Sequence, residues 1–368
     1  MRVALDLRLA FHRRGGIATY AARLLEALSE AEPASTFIEV RDRRDPSRTD
    51  GLPNVRTLRA VTPAHFRSEP WTLPIELLRA RADLFHATDF VAPLPSPTPT
   101  VVTIHDLTFL RRPELVTPEA RRYYSRVPRS VRRARAVIAV SAATKHDVVT
   151  MLGMPEDRVH VVPLAADAVF RPVDDEGLLR AARDRFGLPG RFVLFVGTRE
   201  PRKNLGALID ACTALRDGGE PVPLVLVGEE GWLSDDLERR ARSEENVVVL
   251  GPVSANDLVA IYNLATVVAL PTFDEGFGLP VVESMACGTP VVCSGEGALP
   301  EVAGDAALLV DPRDVGAITA ALASVMEDAA LRDGMRRRGF VRSATFGWDR
   351  TARETAAVYR SVLQEARS

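Results

Sequence analysis

One alternation, run twice, constrains this chain more than any other feature. Short β-branched runs alternate with amphipathic stretches: VALDL and a helical pattern at 17–30, DLFHA, TVVTIHD, a helix near 117–134, AVIAVS, another helix at 142–152, then VHVVPL. Such alternation builds βαβ units around a parallel sheet. After PLAADAVFRPVDDEG, rich in Pro, Asp and Ala, the pattern restarts with FVLFVG, a helix at 204–217, VPLVLVG, helices at 233–243 and 254–263, and the runs VVAL, PVVCS and AALLV. A hinge near residues 163–175 thus separates two α/β halves, and 368 residues suffice for two cores.

The rest of the composition is that of an ordinary globular protein. Apolar runs such as FVLFVG fall far short of the roughly 20 residues that a bilayer requires. The opening MRVALDLRLAF reads as a buried strand rather than a secretory leader, so a cytoplasmic setting is expected. Cys212, Cys287 and Cys293 match neither a zinc site nor a disulfide framework and read as buried small residues. The net charge of −2 conceals an asymmetry. Residues 1–165 carry 25 Arg plus Lys against 18 Asp plus Glu, so the first half is basic and the second acidic. Lysine occurs only twice, at Lys145 and Lys203.

Open parallel sheets bind ligands beyond the carboxyl ends of their strands, and the chemistry-bearing residues lie there. The densest segment is PTFDEGFGLPVVESMACGTPVVCS, Pro271 to Ser294, which packs a strand end, a glycine-containing loop, a helix start and the next strand into 24 residues. Gly276 and Gly278 allow close backbone approach, Pro280 suits the first turn of a helix, and the amides there suit a phosphate. Glu275 and Glu283 are separated by seven residues. Each carboxylate offers two acceptors, a match for the vicinal hydroxyls of a ribose or a hexopyranose.

This segment resembles the signature of the family 4 retaining glycosyltransferases, which have the GT-B fold. The resemblance implies two Rossmann-like domains facing across a cleft, with a C-terminal helix crossing back to the N-terminal domain. Residues 1–165 plus 347–368 would form the acceptor-side domain, and 166–346 the nucleotide-sugar domain. It further implies Glu275 for the donor sugar, Glu283 for the ribose, and the backbone of Gly276, Phe277, Gly278 and Leu279 as a cradle for sugar and diphosphate.

Three further blocks carry the same resemblance. In FVLFVGTREPRKNL, Lys203 aligns with a family lysine that holds the pyrophosphate. Many members place an arginine directly after the Gly, where this chain has Thr198; Arg202 is the expected substitute, with Arg199 as second candidate. In TVVTIHDLTFL, His105 follows a strand, at a position that members with a histidine use near the transferred sugar. Asp106 either joins it or caps the next turn. In RRGGIATYAARLL, Gly15 and Gly16 stand where the family approaches donor phosphates or acceptor. The strings FHATDFVAPLP, VIAVSAATKHDVV and FGWDRTARETAAVYRSV add to a match over nearly the whole chain.

The expected reaction is therefore metal-independent transfer of a hexose, with retention, from a nucleoside diphosphate sugar to a hydroxyl of a glycan, lipid-linked or small-molecule acceptor. No cofactor, metal or nucleic acid is expected: the chain has no Asp-x-Asp triplet and no Gly-x-Gly-x-x-Gly after its first strand. Its pattern most resembles mannosyltransferase-like bacterial members, which makes GDP-mannose the first donor to test while UDP and dTDP sugars stay open. Seven arginines between 118 and 135 interleave with Tyr123 and Tyr124, a basic face able to meet an anionic membrane peripherally, or else a solvated helix. Two alternative functions are a GT-B sugar-nucleotide epimerase and a non-catalytic sugar-nucleotide-binding protein.

Overall fold

The computed structural model describes residues 1–366 except 12–14, 48, 50, 67, 94, 95, 97, 220, 221, 233 and 234. It divides into two compact units, one of Met1–Pro113, Pro118–Leu164 and Gly347–Ser368, the other of Glu114–Thr117 and Ala165–Phe346.

The first unit holds a seven-stranded parallel sheet of β1 (Arg2–Asp6), β2 (Thr36–Asp42), β3 (Val55–Ala60), β4 (Leu84–Ala87), β5 (Thr100–Ile104), β6 (Ala136–Ala139) and β7 (Val159–Val161), in the order β3-β2-β1-β4-β5-β6-β7. The second holds β8 (Val193–Val196), β9 (Leu224–Val227), β10 (Val247–Leu250), β11 (Val267–Leu270), β12 (Val291–Ser294) and β13 (Ala307–Val310), in the order β10-β9-β8-β11-β12-β13. Every residue of β4, β5, β6, β8, β9, β11 and β12 is buried, as strands covered by helices on both faces must be. The strand order reverses between β1 and β4 in one sheet and between β8 and β11 in the other, and loops leaving the carboxyl ends at such switch points diverge to leave a crevice.

The terminal helix Trp348–Glu365 belongs to the first unit. Its apolar face, Ala352, Ala356, Tyr359 and Val362, is buried, and it packs on the helix Gly16–Ala31. All three cysteines are buried thiols.

Three features differ from the sequence expectation. The first is β2 and β3, which fall between the helical pattern at 17–30 and DLFHA, where the alternation gives no strand. The single helix near 117–134 is two short ones, Pro118–Tyr124 and Val127–Arg133. Pro128 has no N–H to continue the first helix and disfavours α torsions at Val127, yet fits the first turn of a new one. Tyr123 and Tyr124 are held by aromatic stacking on His65 at 3.8 Å and Phe109 at 4.3 Å between ring centroids. A further helix, Glu69–Leu77, precedes β4, in a stretch whose pattern gave no clear element. Not every arginine of the first half faces solvent: Arg8 is fully buried and pairs with Asp6 and Glu69, each at 2.6 Å.

Candidate active site

In the second unit the loops after the neighbouring strands β8 and β11 meet. Beyond β8, a 3-10 turn at Pro201–Lys203 ends on Asn204 in a left-handed conformation, φ 55°, which Asn tolerates and which its side chain secures by donating to Pro312 O at 2.6 Å. The turn is joined to the loop after β11 by the Phe273 N–H, which donates to Arg202 O at 2.9 Å. Lys203 Nζ donates to Glu275 Oε2 at 2.5 Å, and Arg202 Nη1 reaches the same oxygen at 3.2 Å. Arg202 also pairs with Glu200 and donates to Asp274 O. Burial pushes the Glu275 carboxyl up, but the two cations outweigh it and hold the group below its ordinary range, so Glu275 is an anion.

The cradle follows directly. Gly278, φ 90°, caps the helix Leu279–Cys287 with no side-chain cap. A Cβ at Gly278 would lie 2.4 Å from Leu299 Cδ2, so only glycine fits this turn. Phe277 is buried and meets Phe346 edge-on, which fixes the loop from behind. Gly297, φ 62°, allows a second segment to close on the loop, with Ala298 N–H donating to Glu275 O at 2.9 Å. Two cations thus converge on one carboxylate beside the N-terminus of a helix, an arrangement that also suits a diphosphate.

Glu283 stands in the second turn of that helix, where Tyr262 Oη donates to its Oε2 at 2.8 Å. Burial raises its pKa to about 7, the Tyr262 hydrogen bond opposing and Asp167 adding to the rise. Glu275 is therefore ionised near neutrality and Glu283 is poised between states.

Arg199 turns elsewhere. Its guanidinium is buried against Glu238 and donates to Gly228 O at 2.6 Å, which ties the loops after β8 and β9 together. A Cβ at Gly228 would lie 2.2 Å from Gly197 O, so these loops run in backbone contact. Arg199 thus braces the loop that presents Arg202 and Lys203.

In the first unit, His105 follows β5 and lies beside the end of β4, where its Nε2 is 2.9 Å from Thr88 O. A carbonyl only accepts, so Nε2 carries the proton. Burial depresses the ring's pKa against the opposing pull of Thr88 O, Asp89 and Asp106, so the neutral ring keeps Nδ1 as an acceptor. Tyr20 and Phe90 meet the ring edge-on at 4.9 and 5.8 Å. Asp106 accepts from Thr108 N–H at 3.0 Å, the turn-capping role. Gly15 is extended and Gly16 opens the helix Gly16–Ala31; a Cβ at Gly15 would meet nothing within 4 Å. Arg13 and Arg14 of that block lie outside the described residues.

Sequence reasoning missed Tyr262, Gly297 and a buried chain through His86. His86 Nδ1 lies 2.6 Å from Tyr359 Oη and its Nε2 2.7 Å from Thr103 Oγ1, which in turn is 2.9 Å from Tyr20 Oη. The chain links the terminal helix, β4, β5 and the helix that opens at Gly16. A histidine inside a β-rich run was the one available signal for it.

Comparison with known proteins identifies the family. The sequence matches the models for Glycosyltransferase Family 4 over residues 14–169 and for Glycosyl transferases group 1 over residues 182–342. It is 32% identical over 303 residues to O-antigen chain mannosyltransferase B of Escherichia coli, covering 80% of this chain and 78% of that protein. It is 30% identical over 295 residues to the serotype-specific mannosyltransferase WbdA of Escherichia coli, covering 76% of this chain and 36% of WbdA. The sucrose-phosphate synthase of Thermosynechococcus elongatus has the same fold, with TM-score 0.80, 22% identity and 99% of each chain covered. The chain therefore belongs to the family 4 glycosyltransferases of GT-B fold, and within them it resembles bacterial mannosyltransferases.

Proposed function

We propose that this glycosyltransferase moves a mannosyl group from GDP-mannose, with retention of configuration and without a metal, to a hydroxyl of a glycan that is free or lipid-linked. The observation that carries the reading is the meeting of Arg202, Lys203 and Glu275 in one loop cluster that continues through Gly276–Leu279 into a helix N-terminus. The mannosyl donor and glycan acceptor rest on the names of the relatives in Escherichia coli.

Breaking the bond between the anomeric carbon and phosphate leaves positive charge on the sugar and negative charge on the diphosphate. Arg202, Lys203 and the helix amides take up the negative charge, the task a divalent ion performs elsewhere. The diphosphate displaces Glu275 from the cations, and the released carboxylate accepts from sugar hydroxyls. Glu283 accepts from the ribose hydroxyls, and His105 accepts from a hydroxyl of the transferred sugar through Nδ1. The acceptor oxygen attacks from the face the diphosphate leaves, and a departing phosphate oxygen takes its proton. Trapping of a glycosyl-enzyme adduct would contradict that last step.

Exposed arginines of residues 118–135 add peripheral contact with an anionic membrane surface to this reading, on the cytoplasmic side. The test is product analysis with GDP-mannose, UDP-glucose and dTDP-glucose in chelator, against a mannose-terminated oligosaccharide. An α-linked mannoside formed from GDP-mannose supports the reading. Sugar-nucleotide isomer formed without acceptor would replace it by epimerisation.

A further inference from the structure

Five large apolar side chains remain in water within eighteen residues of the first unit: Val61 (56% exposed), Phe66 (56%), Trp71 (69%), Ile75 (67%) and Leu78 (61%). Trp71, Ile75 and Leu78 recur at i, i+4 and i+7, which places them on one face of the helix Glu69–Leu77 and the turn that continues it. The other face of the same helix, Leu73 and Leu77, is buried in the unit. A helix apolar on both sides, one of them in solvent, is unlike the scattered exposed residues that need no explanation.

The exposed charges around this stripe are mostly basic. The two acidic side chains of the segment are engaged: Glu69 is buried against Arg8, and Glu76 accepts from Val61 N–H at 2.6 Å and Thr62 N–H at 3.0 Å. Arg79 and Arg81, at its end, are exposed. The basic stretch 118–133 lies alongside, with Arg126 Nη1 donating to Phe66 O at 3.5 Å and the Tyr123 ring stacked on His65. Arg121, Arg122 and Arg129 on that stretch are exposed, and Glu119 is its single carboxylate.

We infer that this face docks on an anionic lipid bilayer, with Phe66, Trp71, Ile75 and Leu78 entering the boundary between headgroups and acyl chains and the surrounding arginines meeting lipid phosphates. Insertion and charge attraction together supply the two signals that stable peripheral binding requires. A second copy of the chain is the poorer occupant, because a two-fold interface here would set one arginine rim against another. No described helix is long and apolar enough to cross a membrane, so the helix lies in the plane of the surface. The inference deepens the membrane contact of the functional reading by adding an inserted element to a basic face, and it is independent of the donor.

The experiment uses the full chain with vesicles of phosphatidylcholine alone or mixed with phosphatidylglycerol, some carrying brominated acyl chains. Trp71 is one of three tryptophans, and Trp71→Phe supplies the blank. The expected result is binding to the anionic vesicles, with bromine quenching of the wild type that Trp71→Phe lacks. Ile75→Ser and Leu78→Ser together should lower the partition coefficient roughly tenfold with an unchanged circular dichroism spectrum. Binding that salt removes fully, without Trp71 quenching, would overturn insertion and leave the basic face alone. Absence of binding to either vesicle would overturn the membrane contact itself. Dimerisation lost in Ile75→Ser would assign the stripe to a second copy.

Discussion

Lys203 Nζ and Glu275 Oε2 lie 2.5 Å apart although 72 positions separate them, and both side chains are largely withdrawn from solvent. Neither residue finds the other through local structure. They meet because β8 and β11 are neighbours at the point where the strand order reverses. A buried carboxylate deprived of one cation is costly, while removing both charges is much less so. Lys203→Met should therefore lower the melting temperature and reduce kcat/KM roughly 10²- to 10³-fold. Adding Glu275→Gln should return most of the stability and none of the activity. Thermal melts and initial rates on the two variants separate the structural from the catalytic share.

Glu283 predicts a pH dependence with a definite sign. Its pKa rises from 4.5 in the unfolded chain to about 7 in the fold. Between these values the folded protein keeps a proton that the unfolded chain has lost, so stability falls as pH rises through this window and stays lower above it. The whole effect is at most about 3 kcal/mol at 1.36 kcal/mol per pKa unit. Denaturant titrations from pH 5 to 8 should show the decline, and Glu283→Gln should flatten it. Nucleotide affinity should run the other way, rising toward pH 8 as the carboxylate forms. Tyr262→Phe removes the hydrogen bond that favours the anion and should move that midpoint upward.

Two glycines should respond oppositely to alanine. At Gly278 the backbone is left-handed and the new methyl would strike Leu299, so Gly278→Ala should cost about 1–3 kcal/mol and disturb the cradle. At Gly15 the space is open and the backbone extended, so Gly15→Ala should leave the melting temperature nearly unchanged. Lost turnover in that stable variant would locate a substrate within van der Waals reach of Gly15; full turnover would assign Gly15 to the turn alone.

His105 should be neutral, with its proton on Nε2, throughout the range in which the enzyme works. Nitrogen chemical shifts of the labelled ring would report this directly. His105→Ala should reduce kcat about 10²-fold with little change in nucleotide affinity. A ring with its ordinary, undepressed pKa would contradict the neutral state, and a neutral ring protonated on Nδ1 would contradict the tautomer.

The alternation of β-branched runs and amphipathic stretches made the second sheet and five of the seven strands of the first legible, and the residues at strand ends made the loop cluster legible. β2 and β3, at the edge of the first sheet, carry charges through their runs and escaped. Side chains whose partner lies on a distant element were harder. Tyr262 reads as a core residue on an apolar helix, and only the fold shows that its hydroxyl reaches Glu283. Arg199 and Arg202 have the same composition around them, yet the pairing of the β8 and β9 loops commits one to Glu238 and leaves the other near Glu275. The helix Glu69–Leu77 escaped because Pro70 and Pro74 interrupt its pattern and because its exposed side is apolar, the reverse of the usual surface helix. Pro128 was the overlooked signal for the broken basic helix.

The central claim, that Arg202, Lys203 and the helix amides form a metal-free diphosphate site, is tested most directly by calorimetric titration of GDP, UDP, dTDP and ADP into the protein in chelator. The account predicts that GDP binds without a divalent ion, and that Lys203→Met and Glu283→Gln each weaken it. Binding that requires magnesium, or that is indifferent to both substitutions, would contradict it.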